Sequence, residues 1–138
     1  MKQIIAAKRI DNLIKLHEDG NHEMIGAYVK EQRLITHFFI PKTAILLLDK
    51  KKLVLIRLGI FTNSPIQTKK YRCSEIKEIK MEENLLNTKV DILLDNTKRI
   101  RLKIYRFLEF SYYQKNIIEK LRKKNYKTSF LESMISSA

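Results

Sequence analysis

Ile45-Leu46-Leu47-Leu48-Asp49-Lys50-Lys51-Lys52-Leu53-Val54-Leu55-Ile56-Arg57 and Val90-Asp91-Ile92-Leu93-Leu94-Asp95-Asn96-Thr97-Lys98-Arg99-Ile100-Arg101-Leu102-Lys103-Ile104 are the two stretches whose reading decides the fold. Each is an apolar strand, a polar turn opening on Asp, and a returning strand. Asp suits that place because its carboxylate hydrogen-bonds the backbone two residues on. In the second stretch Ile100, Leu102 and Ile104 alternate with Arg99, Arg101 and Lys103. A period of two puts one face in a core and the other in water. Residues 44–48 and 53–58 are apolar at every position but Arg57, the pattern of central strands covered from both sides.

Outward from these hairpins the chain reads as further short strands. Lys69–Cys73 and Ile76–Met81 are extended pieces on either side of a bend at Ser74-Glu75. Glu82–Asn87 is a polar turn with Leu85 and Leu86 expected to tuck inward, and Phe61–Pro65 is a loop. Upstream, Met24–Val29 reads as a first strand in which Gly26 marks a bulge. Lys30-Glu31-Gln32-Arg33 then reads as a turn and Leu34–Ile40 as a second strand ended by Pro41. Helical spacing appears at both ends. Ile10, Leu13, Ile14 and His17 form a stripe within residues 2–17, stopped near Gly20. Phe110, Tyr113, Ile117 and Leu121 form another within 106–125, backed by Lys115, Lys120, Arg122 and Lys123. The expected organisation is an N-terminal helix (1–20), a barrel with its helix (23–125) and a Ser-rich tail (126–138).

At 138 residues, 44% of them hydrophobic, the chain suffices for one core. Cys73 is its single cysteine, so neither an internal disulfide nor a multi-cysteine zinc site is available. The run Met1–Ala7 breaks at Lys8, too early for a secretory segment, and no apolar run approaches the roughly 20 residues that span a bilayer. These features give a cytoplasmic expectation. Net charge is +13, and residues 98–127 hold eleven Lys and Arg against two Glu. Such a field attracts nucleic acid, phospholipid headgroups or an acidic protein face, and it also serves solubility alone.

The order of the Leu48-Asp49-Lys50-Lys51-Lys52-Leu53 hairpin, the Ser74-Glu75-Ile76-Lys77-Glu78-Ile79 segment, a second hairpin and a helix resembles a bacterial pleckstrin-homology-like (PH-like) domain of the YokE-like type. The likeness covers about residues 23–124, and its motifs are patterns of residue class. The first turn lacks the Thr and Arg common in that group, and the chain has no Trp. The resemblance implies a mainly β fold: a partly open barrel of two bent antiparallel sheets with a C-terminal capping helix, here with an extra N-terminal helix. It implies binding or scaffolding without catalysis. It also points, by the habit of phosphoinositide-binding members, to the first inter-strand loop, expected at Lys30–Arg33.

Three candidate surfaces follow. Lys50, Lys51, Lys52, Lys69, Lys70 and Arg72 sit on basic loops fit for an anionic phospholipid surface, if the fold brings them together. Lys98, Arg99, Arg101 and Lys103 form a strand-borne stripe fit for a nucleic-acid backbone. No aromatic alternates with them for base stacking, and an edge strand protected against aggregation gives the same pattern. Ile10, Leu13 and Ile14 offer an apolar helix stripe that must bury against something, either the body of the chain itself or, as the candidate face for self-association or a protein partner, another chain. His17, His22 and His37 lack metal-ligand spacing, and Gly20, Gly26 and Gly59 are too far apart for a phosphate loop. No cofactor, metal or catalytic set is expected.

Overall fold

The computed structural model describes residues 2–18, 23–35, 38–59, 65–105 and 113–123. Helix α1 (Lys2–His17) precedes seven strands: β1 (Ile25–Ile35), β2 (Phe38–Leu48), β3 (Lys52–Leu58), β4 (Pro65–Arg72), β5 (Ile76–Glu83), β6 (Asn87–Leu94) and β7 (Arg99–Tyr105). A 3-10 turn, Cys73–Glu75, joins β4 to β5. Helix α2 covers residues 113–123. The remainder of the stretch expected as the second helix, and the tail at 126–138, lie outside the described residues.

The strands form one antiparallel sheet in the order β4-β3-β2-β1-β7-β6-β5. β4 and β5 are its edges, so the sheet is not closed. β1 belongs to both halves: it pairs with β2 from Ile25–Leu48 to Ile35–Phe38, but with β7 only at Lys30–Lys103 and Glu31–Leu102. The halves face each other across one core. β1 to β3 supply Ala27, Val29, Ala44, Leu46, Leu48, Leu53 and Leu55, and β5 to β7 supply Ile79, Val90, Ile92, Leu94, Ile100, Leu102 and Ile104. Ile117, Ile118 and Leu121 of α2 complete it. The fold is therefore mainly β, a partly open barrel with a helix in its core and a second helix outside.

The outer helix explains why β2 and β3 are apolar on both faces. Ile45, Leu47, Val54, Ile56 and Leu58 point away from the barrel and are covered by Ile10 and Met24, with Leu13 and Ile14 packed beside them. Each such side chain contributes about 1.5–3 kcal/mol when fully buried. Gly26 permits the approach. Its pairing with Leu47 is regular, so there is no bulge there. A Cβ at this position would lie 2.6 Å from Leu47 Cδ2 and 3.1 Å from Ile10 Cγ2.

Three expectations are corrected. Lys30–Arg33 is the middle of β1 and not a turn, so the first inter-strand connection falls at residues 36–37, outside the described residues. Pro41 does not end β2, which runs on through it with Pro41 opposite Gln32. Among the described residues the β2–β3 pairing ends at Ala44–Arg57, so Pro41 lies outside it, where a missing donor is tolerated. Leu85 and Leu86 do not tuck inward. Asn84 N donates to Asn87 O at 2.8 Å, closing a tight turn that leaves the two leucines 82% and 62% exposed.

Candidate anion-binding surface

The β2–β3 turn is fixed by Asp49, which is 1% exposed. Its Oδ1 accepts the backbone N–H groups of Lys51 and Lys52, each at 2.8 Å, and its own N–H donates to Lys52 O at 3.1 Å. Three consecutive lysines are thereby held on a defined turn. Cys73 N donates to Lys51 O at 2.7 Å, tying the 3-10 turn to it, and the β3–β4 register sets Arg72 opposite Lys52. Lys50, Lys51, Lys52 and Arg72 consequently line one groove of about 490 Å³ with Cys73 and Ser74. Among the described residues no carboxylate lines it.

Of the six basic-loop residues the fold thus gathers four. Lys70 lies opposite Val54, one step along the face shared by Lys52 and Arg72. Lys69 lies opposite Leu55, on the other face of the sheet. Sequence reasoning missed two further cations. Lys50 also borders a second groove of about 460 Å³ with Lys120 and Lys123 of α2, where Glu23 and Glu119 temper the charge. Lys120 Nζ donates to Glu23 O at 3.0 Å, fixing α2 against the start of β1. No local signal in the sequence links position 50 to positions 120 and 123.

The strand-borne stripe has a different character. Arg99, Arg101 and Lys103 do face outward, but Asp91 of β6 stands among them. Arg99 Nη1 and Arg101 Nε lie 3.2 Å and 3.8 Å from Asp91 Oδ2. Lys80, Glu82, Lys89, Asp91, Arg101 and Lys103 share the margin of a groove of about 410 Å³ on this sheet, a mixed-charge surface. Lys98 turns away from it, its Nζ 5.8 Å from the Tyr71 ring centroid. The helix stripe packs on the body of the chain: Ile10 is fully buried against the chain's own sheet, and Leu13 and Ile14 are half-buried beside it.

A buried ion pair stands apart from these surfaces. Arg57 Nε and Nη2 each donate to a Glu31 carboxylate oxygen at 2.8 Å, and Nη1 donates to Gln67 Oε1 at 2.5 Å. The hydrogen bond it donates to Glu31 holds the Arg57 guanidinium above its ordinary pKa against the opposing effect of burial, with charge attraction to Glu31 adding to it. Each of its three nitrogens donates within the protein, which makes it a structural clamp across β1, β3 and β4. Among the described residues no three His, Cys, Asp or Glu side chains converge as metal ligands, and no helix is long and apolar enough to cross a membrane. Cys73 is half-buried and its Sγ lies 3.6 Å from Asp49 O.

No protein-family model matches the chain, and no curated protein does. Among solved structures it is similar to the hSac2 domain from human phosphoinositide phosphatase Sac2, with TM-score 0.56 and 10% identity over 92% of this chain and 84% of that one. It is also similar to the pleckstrin homology (PH) domain of USP37, with TM-score 0.44 and 10% identity over 75% of this chain and 97% of that one. At such identity the first likeness is one of fold.

Proposed function

We propose that this protein is a non-enzymatic binding module, of the YokE-like bacterial PH type, that docks peripherally on an anionic phospholipid surface at the cytoplasmic face of a membrane. The observation that carries the reading is the groove at the β2–β3 turn, where Lys50, Lys51, Lys52 and Arg72 meet with no carboxylate among the described lining residues. The rival surfaces lack that property: Asp91 pairs with the stripe of the nucleic-acid reading, and in the stripe of the protein-partner reading Ile10 is buried and Leu13 and Ile14 are half-buried against the chain's own sheet. Each basic group near an anionic membrane is worth about 1 kcal/mol.

The test compares two triple variants with the same loss of charge: Lys50→Ala/Lys51→Ala/Lys52→Ala and Arg99→Ala/Arg101→Ala/Lys103→Ala. Co-sedimentation with phosphatidylserine-containing vesicles at physiological salt should weaken by at least about ten-fold for the first and stay within about two-fold for the second. Equal losses would assign binding to net charge alone. Binding of the wild type to single-stranded nucleic acid, abolished only by the second variant, would replace the reading with the nucleic-acid one.

A further inference from the structure

The β5–β6 turn presents two adjacent leucines to water at 82% and 62% exposure. Scattered exposed leucines are ordinary, but these occupy the two tip positions of a hairpin. The turn is held below the tip by the Asn84–Asn87 backbone bond and an amide contact between the two side chains. Strand pairing continues directly from Glu83–Thr88. The tip is therefore braced, and its apolar side chains have no route inward.

Its location relative to the cations is what gives it meaning. Glu83, the last residue of β5, is bound by the Arg122 guanidinium of α2. Lys120 and Lys123 of the same helix border the groove that Lys50 also lines. Helix α2 thus bridges the leucine hairpin to the lysine turn, and its Arg122 neutralises the carboxylate nearest the tip. An apolar tip beside a basic surface matches an anionic bilayer, whose headgroups take the cations and whose interfacial region takes leucine side chains. We infer that Leu85 and Leu86 insert into the interfacial layer of an anionic membrane while the β2–β3 turn and the end of α2 hold the headgroups. This inference rests on the membrane-docking reading above and adds the element that penetrates. Glu82 and Glu119 limit the attraction but do not oppose insertion of the tip itself.

The chain contains no Trp, so Leu85→Trp introduces a unique indole at the tip. Vesicles of phosphatidylcholine with phosphatidylserine are compared with phosphatidylcholine alone, while co-sedimentation follows binding in the same samples. Insertion predicts a blue shift of the indole emission on anionic vesicles, quenching by lipids brominated on their acyl chains, and about five-fold weaker binding of Leu85→Ser/Leu86→Ser. Undiminished binding with the indole still emitting as in water overturns insertion and leaves docking intact. Absence of wild-type binding to the anionic vesicles overturns docking, and insertion with it. The wild-type hairpin tip is exposed, so the serine variant should keep its thermal midpoint, which separates lost insertion from lost folding.

Discussion

Asp49 is acidic yet lies at the centre of the most basic turn in the described fold, and the two facts make opposite predictions for its removal. By charge alone, Asp49→Ala makes the protein more positive and should tighten its grip on an anionic surface. By geometry, the carboxylate is what holds the Lys51 and Lys52 amides, so its loss frees the turn and disperses Lys50, Lys51 and Lys52. Each lost hydrogen bond to a charged acceptor costs about 1.5–3 kcal/mol of stability. The expected outcome is a lower denaturation midpoint together with weaker binding to phosphatidylserine vesicles, and tighter binding would show that position does not matter. Tyr28 gives a second test at this scale. Burial pushes its phenol above the ordinary value, while the charge of Arg9 and a hydrogen bond from it pull the other way. A group raised in the folded state contributes stability that is complete below its unfolded pKa, about 10 for tyrosine, and is lost as pH rises beyond it. Melting temperature should fall above about pH 10, and less steeply in Tyr28→Phe.

Among the elements, α1 belongs to the body of the domain. Ile10 is fully buried in a site that Gly26 keeps open, so Ile10→Ala should cost about 2–5 kcal/mol by equilibrium unfolding and leave the sedimentation behaviour of the folded fraction unchanged. A shift in oligomeric state without loss of stability would restore the partner-face reading. The stripe itself was legible from the spacing of Ile10, Leu13 and Ile14, but its cover was not. The cover is the outer face of β2 and β3, and two-sided apolarity in those strands implies a second layer without saying which segment supplies it. The two Asp-headed hairpins were legible because turn chemistry and alternation agree. β1 and β2 were not, because Lys30–Arg33 has the composition of a turn and Pro41 that of a stop. The charge that β1 takes inward, Glu31, is answered by Arg57 twenty-six residues away, a pairing that no local pattern shows. Asp91 was missed for a different reason. The turn at Asp95–Lys98 sets Leu93 opposite Arg99 and hence Asp91 opposite Arg101, so its neutralising role could have been read by counting back along the hairpin.

At the scale of the whole molecule, the question is whether +13 acts as a diffuse field or through one place. Ionic strength separates the two, because the screening length falls from about 30 Å at 0.01 M salt to about 8 Å at 0.15 M. At the lower salt nearly every cation on a domain of this size is felt by an anionic vesicle, including Arg99 and Arg101 on the far-reaching margin of the field. At the higher salt only charges near the contact count, and pairs such as Arg99–Asp91 present little net charge beyond that distance. The two charge-matched triple variants, at Lys50–Lys52 and at Arg99, Arg101 and Lys103, should therefore bind phosphatidylserine vesicles alike at 0.01 M salt. They should separate by about five- to ten-fold at 0.15 M, with the turn variant the weaker. Variants that stay together at both salts would mean that the positive charge acts without a docking face. Variants that separate equally at both would mean that contact at the turn dominates even where the whole field is unscreened. A separation that opens as salt rises is the signature of a local basic face set within a general positive field.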